Sequence, residues 1–455
     1  MSLAASVRRL VARPRRGTTA SGARLGPPHV LIVVQNLPVP LDRRVWLECK
    51  ALTAAGRRVS VICPAGDGEP AFERLDGVAL HRYRPPRPAR GSLGFAREFA
   101  YCWLASARLA LRIAVRDRVH VLQACNPPDT YFLLALALRG LGARFVFDQH
   151  DLCPELYTSR FARPSRPVAA ALGLLELASY RCADHVIVVN ESFRRVALGR
   201  GRLPADRVTV VRSGPPAAMA RGEATPALRN GRRHLCCWLG IMGPQDGVDL
   251  ALRALALLVH ERRRYDVQFA FLGFGDCFEE LRALADKLGV ADHVTFTGRA
   301  DDETITRWLS TADLGLSPDP RNDMNDLCTM NKTLEYLAFS LPVVCFDLAE
   351  TRVSAGEAAW YAPPNDVTAF ADGIATLLDD PARRAAMGAV GRARIDDALA
   401  WEHWAPRYVA VYDRLLGAAA PAARTPETAA PEAASPEAGG HWPSRRTTRS
   451  GGPLS

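Results

Sequence analysis

The chain reads as two α/β domains, each built on a parallel, doubly wound sheet. Three observations point there. Short runs of buried-strand character alternate with helical segments from residue 29 to residue 416. The alternation starts twice, at 29–35 and at 235–239, with an aperiodic Ala-, Arg- and Gly-rich stretch at 217–233 between the two starts. At 455 residues and 48% hydrophobic composition, the chain is long enough for two cores of ordinary size plus tails.

In order, residues 29–35 (H-V-L-I-V-V-Q) suit a strand buried on both faces. The loop N-L-P-V-P-L-D-R-R leads into an amphipathic helix to Ala55, Gly56 caps it, and 59–63 is the second strand. Strand, helix, strand in that order opens a parallel sheet of the Rossmann kind. Residues 93–115 predict a helix carrying Phe95, Phe99, Tyr101 and Trp103, with Arg97, Arg108, Arg112 and Arg116 among them. Two readings fit it: a helix packed on the sheet with its arginines outward, or a helix lying on a membrane surface. Strands follow at 119–124 and 143–148, the second running into D-Q-H-D-L-C-P-E-L-Y. His150 and Asp151 then stand just past a strand's C-terminal end, the edge at which open parallel sheets bind ligands. Flanked by Asp148 and Asp151, His150 is the catalytic candidate of the first half, with Asp151 beside it. A helix at 167–183 and strands at 185–189 and 208–212 close this half.

The second half repeats the pattern: strand 235–239, a helix, strand 267–272, a helix, strand 294–297, a helix with Trp308, and strand 314–317. Gly240, Gly273, Gly275 and Gly298 each follow a strand end, where a missing side chain lets a nucleotide approach the backbone. The next stretch, 317–347, holds a helix at 330–340 and a strand at 342–346. Met330, Leu334, Leu337 and Leu341 form its core stripe, which leaves Asn331, Lys332 and Glu335 together on the other face. Only three of the chain's 58 basic residues are lysines, so a lysine here is an exception. A compact ammonium beside a helix N-terminus suits a diphosphate; the plainer reading is an exposed i,i+3 ion pair with Glu335. Helices at 366–379, 381–399 and 401–416 follow.

The net charge of +10 lies largely in the tails: residues 1–28 hold six arginines and no acid, residues 417–455 a further net +1, which leaves +3 for the body. This argues against a nucleic-acid partner. The eleven cysteines are scattered without a C-x-x-C, so no disulfide framework or zinc site is expected, and a reducing cytoplasm suits them. No secretory signal or run of about 18 apolar residues occurs.

The run N-K-T-L-E-Y-L-A-F-S-L-P-V-V resembles the donor-binding helix of glycosyltransferase family 4, retaining enzymes of GT-B fold, and the resemblance extends from about His29 to Leu416. It implies two Rossmann-like domains facing a central cleft: an acceptor-side domain at 29–216, a linker at 217–233, a donor-binding domain at 234–400, and a crossover helix at 401–416 returning to the first domain, with tails at 1–28 and 417–455. Glu335 matches the second glutamate of the family's Glu-x7-Glu pair, which contacts the ribose. At the first position stands Leu327, with Asp326 one residue out of register as its substitute. His150 matches the functional histidine near the donor sugar. The same resemblance makes Gly240, Gly243, Gly273, Gly275, Arg299, Asp326, Met330, Asn331, Lys332 and Glu335 the donor pocket. Asp42 and Arg43 stand in a loop where glycines are usual and are candidates for the acceptor side or a phosphate. Ile241 and Asp246 replace an arginine and a lysine that neutralise phosphate, and Ser213-Gly214 replaces an Asn-Gly pair. The implied substrates are a nucleoside-diphosphate sugar, UDP favoured, and a glycan or lipid-linked acceptor. No metal or other cofactor is expected, and the implied place is the cytoplasm, with peripheral contact at the inner face of the membrane. The alternative is a catalytically weak GT-B partner or scaffold. The departures favour it; His150, Lys332 and Glu335 oppose it.

Overall fold

The structure, a computed structural model, describes residues 26–66, 68–86, 91–161 and 163–417, so nearly all of both expected tails, and the side chain of Phe95, lie outside the described residues. The first sheet comprises β1 (His29–Val33), β2 (Arg58–Pro64), β3 (Phe72–Leu75), β4 (Val78–Tyr83), β5 (Val121–Cys125), β6 (Arg144–Gln149), β7 (His185–Val188) and β8 (Val208–Val210), in the order β3-β4-β2-β1-β5-β6-β7-β8. Every pairing is parallel except β3 with β4. That hairpin was not expected. Its signal is the Asp76-Gly77 pair, whose φ values of 47° and 82° make the two-residue turn that matches strand twist.

Alternate residues of one strand serve opposite faces, which is why the strands read as unbroken apolar runs. Leu31, Val33, Leu122, Phe145 and Phe147 pack under helices Gly91–Arg116, Phe132–Arg139, Arg166–Cys182 and Glu191–Gly199. Val30, Ile32, Val61 and Val121 pack on the other face against helix Arg43–Ala54 and the last helix of the described chain, Trp401–Leu416. The crossover helix thus completes the first domain's core with Trp401, Tyr408, Val411 and Tyr412.

The second sheet is wholly parallel: β9 (His234–Ile241), β10 (Val267–Phe274), β11 (Val294–Gly298), β12 (Leu314–Ser317), β13 (Val343–Phe346) and β14 (Ala359–Ala362), in the order β11-β10-β9-β12-β13-β14. The edge strand β14 was not expected from A-W-Y-A. Chain order reverses beside β1 in the first sheet and beside β9 in the second, and such switch points open the crevices that hold ligands.

Residues 217–233 run along the second domain, with Arg221 Nε donating to the Ser310 carbonyl at 3.0 Å and Arg229 pairing with Asp313. The loop before helix Asn331–Ala338 reaches into the first domain. There Met324 joins the core, Leu327 packs against it, and Asn190 Nδ2 donates to the Leu327 carbonyl at 2.9 Å. A leucine therefore makes sense where the resemblance puts a glutamate: this position binds the two domains together. Gly214 is forced by a close approach, since a Cβ there would meet the Leu399 carbonyl oxygen at 1.9 Å.

Candidate functional site

The first domain's contribution starts at the end of β6. Asn126 Oδ1 accepts from the backbone amides of His150 at 2.6 Å and Asp151 at 3.1 Å, while its Nδ2 donates to the Asp151 carbonyl at 2.8 Å. This pins the loop and leaves the His150 ring over buried Asp148. His150 Nε2 lies 2.9 Å from Asp148 Oδ2 and 3.1 Å from Arg44 Nε. One nitrogen serves one of them at a time: protonated, it donates to Asp148; unprotonated, it accepts from Arg44. Nδ1 has no hydrogen bond among the described residues, so it is the atom left to meet a ligand. Burial pulls the His150 pKa down, but the Asp148 carboxylate outweighs it and the net shift is upward. Burial also raises the pKa of the Asp151 carboxyl, against His150 and Arg160.

Arg44 is the centre of this half, and sequence reasoning missed it. Its guanidinium is buried, 3.1 Å from Asp148 Oδ1 and 3.0 Å from Glu48 Oε1, and donates to Val211 O and Ser213 Oγ at 2.9 Å each. Burial opposes its charge, and Asp148 and Glu48 more than restore it. The signal was available: Glu48 interrupts the inward stripe Val45, Cys49, Leu52 of helix Arg43–Ala54, and an acid in a core stripe needs a partner. Ligand atoms of Glu48, Cys125, Asp148 and His150 lie within 4.8 Å of one another, a spacing that suits a cation, and the Arg44 guanidinium already stands among them. Asp42 accepts from Val45 N at 3.1 Å and so caps this helix.

The second domain contributes helix Asn331–Ala338. Helical spacing put Lys332 on one face with Asn331 and Glu335, but its side chain turns inward, so the plainer reading of an exposed ion pair with Glu335 does not hold. The Lys332 side chain is 8% exposed, with Nζ 2.5 Å from Asp319 Oδ1, 3.5 Å from Asp246 Oδ1 and 5.4 Å from the Trp238 ring centroid. The reason is that this short helix is enclosed on most sides, Thr333, Leu334, Tyr336 and Leu337 all being buried, and only Asn331 and Glu335 look into the cleft. Burial lowers the Lys332 pKa, and the two aspartates reverse that into a net rise. Burial pushes the Asp246 carboxyl up to about 6, with Lys332 opposing and Asp319 reinforcing the rise. Asp246 also accepts from Gly243 N at 3.1 Å.

Glu335 pairs across the cleft with Arg43, Nη1 to Oε2 at 3.0 Å, and Arg43 also pairs with Asp302. Burial raises the Glu335 pKa against the pull of Arg43. Arg43, Arg44, Ser213, Gly214, Asn331 and Glu335 line an interdomain cavity of about 60 Å³. A larger one, about 290 Å³, lies at the opposite end of the first sheet beside Val119 and Ala143, away from every group named above.

Other expected donor residues are placed differently. A Cβ on Gly273 would meet the Gly240 carbonyl oxygen at 1.8 Å, and one on Gly275 would meet Met242 backbone at 2.5 Å, so these glycines first of all allow the ends of β9 and β10 to pack on each other. Arg299 is exposed beyond β11. Met330 is buried and stands at the N-cap of the donor helix. Asp326 accepts from Ala349 N at 2.9 Å and pairs with Arg321 at 3.2 Å, which engages its carboxylate at the start of helix Ala349–Ala355 rather than with Lys332 or Glu335.

Comparison with known proteins agrees with this geometry. Residues 41–214 match the family described as "Glycosyl transferase 4-like domain", and residues 233–380 match "Glycosyl transferases group 1". The chain is 26% identical over 373 residues to alpha-D-kanosaminyltransferase of Streptomyces kanamyceticus, covering 80% of this chain and 88% of that one. It is 32% identical over 192 residues to the GDP-mannose-dependent alpha-(1-6)-phosphatidylinositol monomannoside mannosyltransferase of Mycobacterium tuberculosis, covering 41% of this chain and 49% of that one. Its fold superposes on Anabaena Alr3699/HepE in complex with UDP-glucose with a TM-score of 0.63, at 15% identity over 85% of this chain and 99% of the other. Two parallel-sheet domains with a cleft between their switch points define the GT-B class, and the protein is an enzyme that moves a sugar from a nucleotide sugar. More narrowly, the chain belongs to glycosyltransferase family 4.

Proposed function

We propose that this glycosyltransferase retains anomeric configuration, takes a UDP-sugar, and delivers the sugar to a glycan or lipid-linked acceptor at a membrane surface. The observation that carries the reading is the pairing of two half-sites across one cleft: a histidine with a free Nδ1 on the first domain, and a lysine and a glutamate on one helix of the second. Lys332 and the helix N-terminus are suited to a diphosphate, and stabilise the leaving group where its negative charge develops. Glu335 accepts from the ribose hydroxyls once Arg43 is displaced. The His150 Nδ1 faces the donor sugar, with the leaving phosphate taking the acceptor's proton. Sugar transfer of this kind needs no glycosidase-like carboxylate pair. The cation among the carboxylates of the first domain is Arg44, which supports transfer without a metal.

UDP-glucose in the Anabaena complex favours uridine, and the mannosyltransferase named above keeps guanosine as the competing base. The membrane reading rests on helix Gly91–Arg116. Tyr101, Leu104, Leu111 and Val115 are exposed on it, and Arg97, Arg108, Arg112 and Arg116 have no acidic partner among the described residues. Such a stripe suits an anionic lipid surface, whereas no described helix is long and apolar enough to cross a membrane. The test is a thermal-shift titration of the full chain with UDP, GDP, ADP and their sugars, since selective binding raises the melting temperature by mass action. Stabilisation by GDP-mannose but not by UDP-sugars would overturn the uridine assignment, and no stabilisation by any would favour the scaffold alternative.

A further inference from the structure

A hydrogen-bonded chain leads from the crossover helix to His150, and the proposed role of His150 in transfer does not by itself require it. Gln123 lies wholly buried on β5, within a ring of four partners. Its Nε2 donates to Glu48 Oε2 and to Asp148 Oδ2, each at 2.8 Å. Its Oε1 accepts from Tyr408 OH at 2.6 Å and from Tyr412 OH, and the two hydroxyls are 3.0 Å apart. An amide has two hydrogens and two lone pairs, and here all four are used. The two carboxylates demand the NH2 side, so the carbonyl must face the tyrosines, and one orientation satisfies every group. Asp148 Oδ2, the atom that Gln123 holds, is also the atom 2.9 Å from His150 Nε2.

We propose that Tyr408 and Tyr412 are positioning residues for His150, acting through Gln123 and Asp148 to hold Nε2 on the carboxylate side and leave Nδ1 free toward the cleft. The proposal rests on the reading of His150 as a transfer residue. Both tyrosines come from the helix that enters the first domain at the interdomain crossing, where Trp401 N donates to Pro215 O at 2.9 Å. The segment that joins the two domains therefore also carries the far end of the chain that orients the ring. The alternative is plain packing, because both rings lie at 0% exposure, 5.0 Å apart, in the core beneath β1 and β5.

The charged and titratable groups around His150 are Arg44 and Glu48 from the first helix, Cys125 from β5, Asp148 from β6, and the following Asp151. Burial and Asp148 together push the Glu48 carboxyl up, while at Asp148 burial is outweighed by the pull of Arg44 and His150, which holds the carboxyl below its usual range. Without the tyrosine hydroxyls, the Gln123 carbonyl is buried with no donor, the amide is no longer fixed from its far side, and the hold of Gln123 on Asp148, and of Asp148 on the ring, loosens.

The test is to titrate the His150 imidazole by NMR in the full chain with ring-labelled histidine, the signal assigned by its loss in His150→Ala. In Tyr408→Phe/Tyr412→Phe, which keeps both rings in the core, the titration midpoint should move to lower pH, with each single variant between wild type and the double. Gln123→Leu should match the double; if it fails to fold, the tyrosine variants carry the test alone. An unmoved midpoint, even with a lower melting temperature, would overturn the positioning and leave packing as the explanation. Normal sugar transfer by His150→Ala is a separate result, which would overturn the catalytic reading and with it the functional half of this proposal.

Discussion

Each wall of the cleft buries one cation between two carboxylates, and the two arrangements differ in how firmly the cation is held. On the first domain, Arg44 spends its donors on Asp148, His150, Val211 O and Ser213 Oγ, with Glu48 also at 3.0 Å. A planar fork with five donors suits such a site, and four of the five are engaged within the protein. On the second domain, Lys332 is close to Asp319 at 2.5 Å but only loosely held by Asp246 at 3.5 Å. A point charge with three donors and one slack partner can be shared with an incoming anion. The firm cation orients a histidine, and the loose one is available to a diphosphate.

The sharpest way to break this contrast is to remove what each cation serves. His150→Ala should keep the dissociation constant of the donor within a few-fold and lower turnover by about a hundredfold or more, measured as kcat against donor Kd. Comparable losses in both would move His150 from transfer to binding. On the other wall, Lys332→Met should weaken UDP binding by about tenfold or more and UMP binding much less, since the ammonium meets the charge that the second phosphate adds. Both carboxylates lose their cation in that variant, so stability falls as well. The ratio of UDP to UMP affinity, by calorimetry, separates the two effects, and an unchanged ratio would remove Lys332 from the diphosphate site.

Much of this contrast was legible in the sequence, and the missing part has one cause. Strand runs, glycine-terminated strands and the H-D pair past β6 depend on local pattern, and the two sheets follow them. The partners of Lys332 did not show because they come from 86 and 13 positions away in the chain, and helical spacing alone put Lys332 beside Glu335. Arg44 was passed over in a run of two arginines, of which the first is partly exposed and the second is buried on partners distant in the chain. The β3–β4 hairpin had its Asp-Gly signal, whereas the Gln123 network joins β5 to residues some 285 positions later and has no local signature at all.

A finer test alters the slack partner. Asp246 stands where the family usually has a phosphate-neutralising lysine, and Asp246→Asn should strengthen binding of UDP-glucose by about threefold to tenfold at pH 7.5. The wild-type carboxyl is raised from 3.8 to about 6, so the folded chain binds the extra proton in that window and loses stability as pH rises through it. The same sign applies to the donor: as pH falls from 7.5 toward 5.5, Asp246 is neutralised, the Lys332 ammonium is no longer shared with it, and wild-type affinity should approach that of Asp246→Asn. The diphosphate of a nucleotide sugar has no group that titrates there, which makes UDP-glucose a cleaner probe than UDP. Affinities that stay parallel across this range would show that Asp246 does not compete for Lys332.

The smallest expected effect concerns the bridge between the two walls. Arg43 Nη1 stands 3.0 Å from Glu335 Oε2 and also pairs with Asp302, so the carboxylate assigned to the ribose is occupied before a nucleotide arrives. Arg43 is 34% exposed and Asp302 87%, which limits what the bridge can contribute, and solvent screens much of it. Displacing it should therefore cost little, and Arg43→Ala should raise affinity for UDP by about twofold to threefold through releasing Glu335. In a Glu335→Gln background the gain should vanish, because an amide has no charge for Arg43 to hold. If Arg43→Ala weakens UDP binding instead, Arg43 contacts a phosphate of the bound nucleotide. The first domain would then supply a cation to the ligand after all, and the division between an orienting wall and a binding wall would fail at this residue.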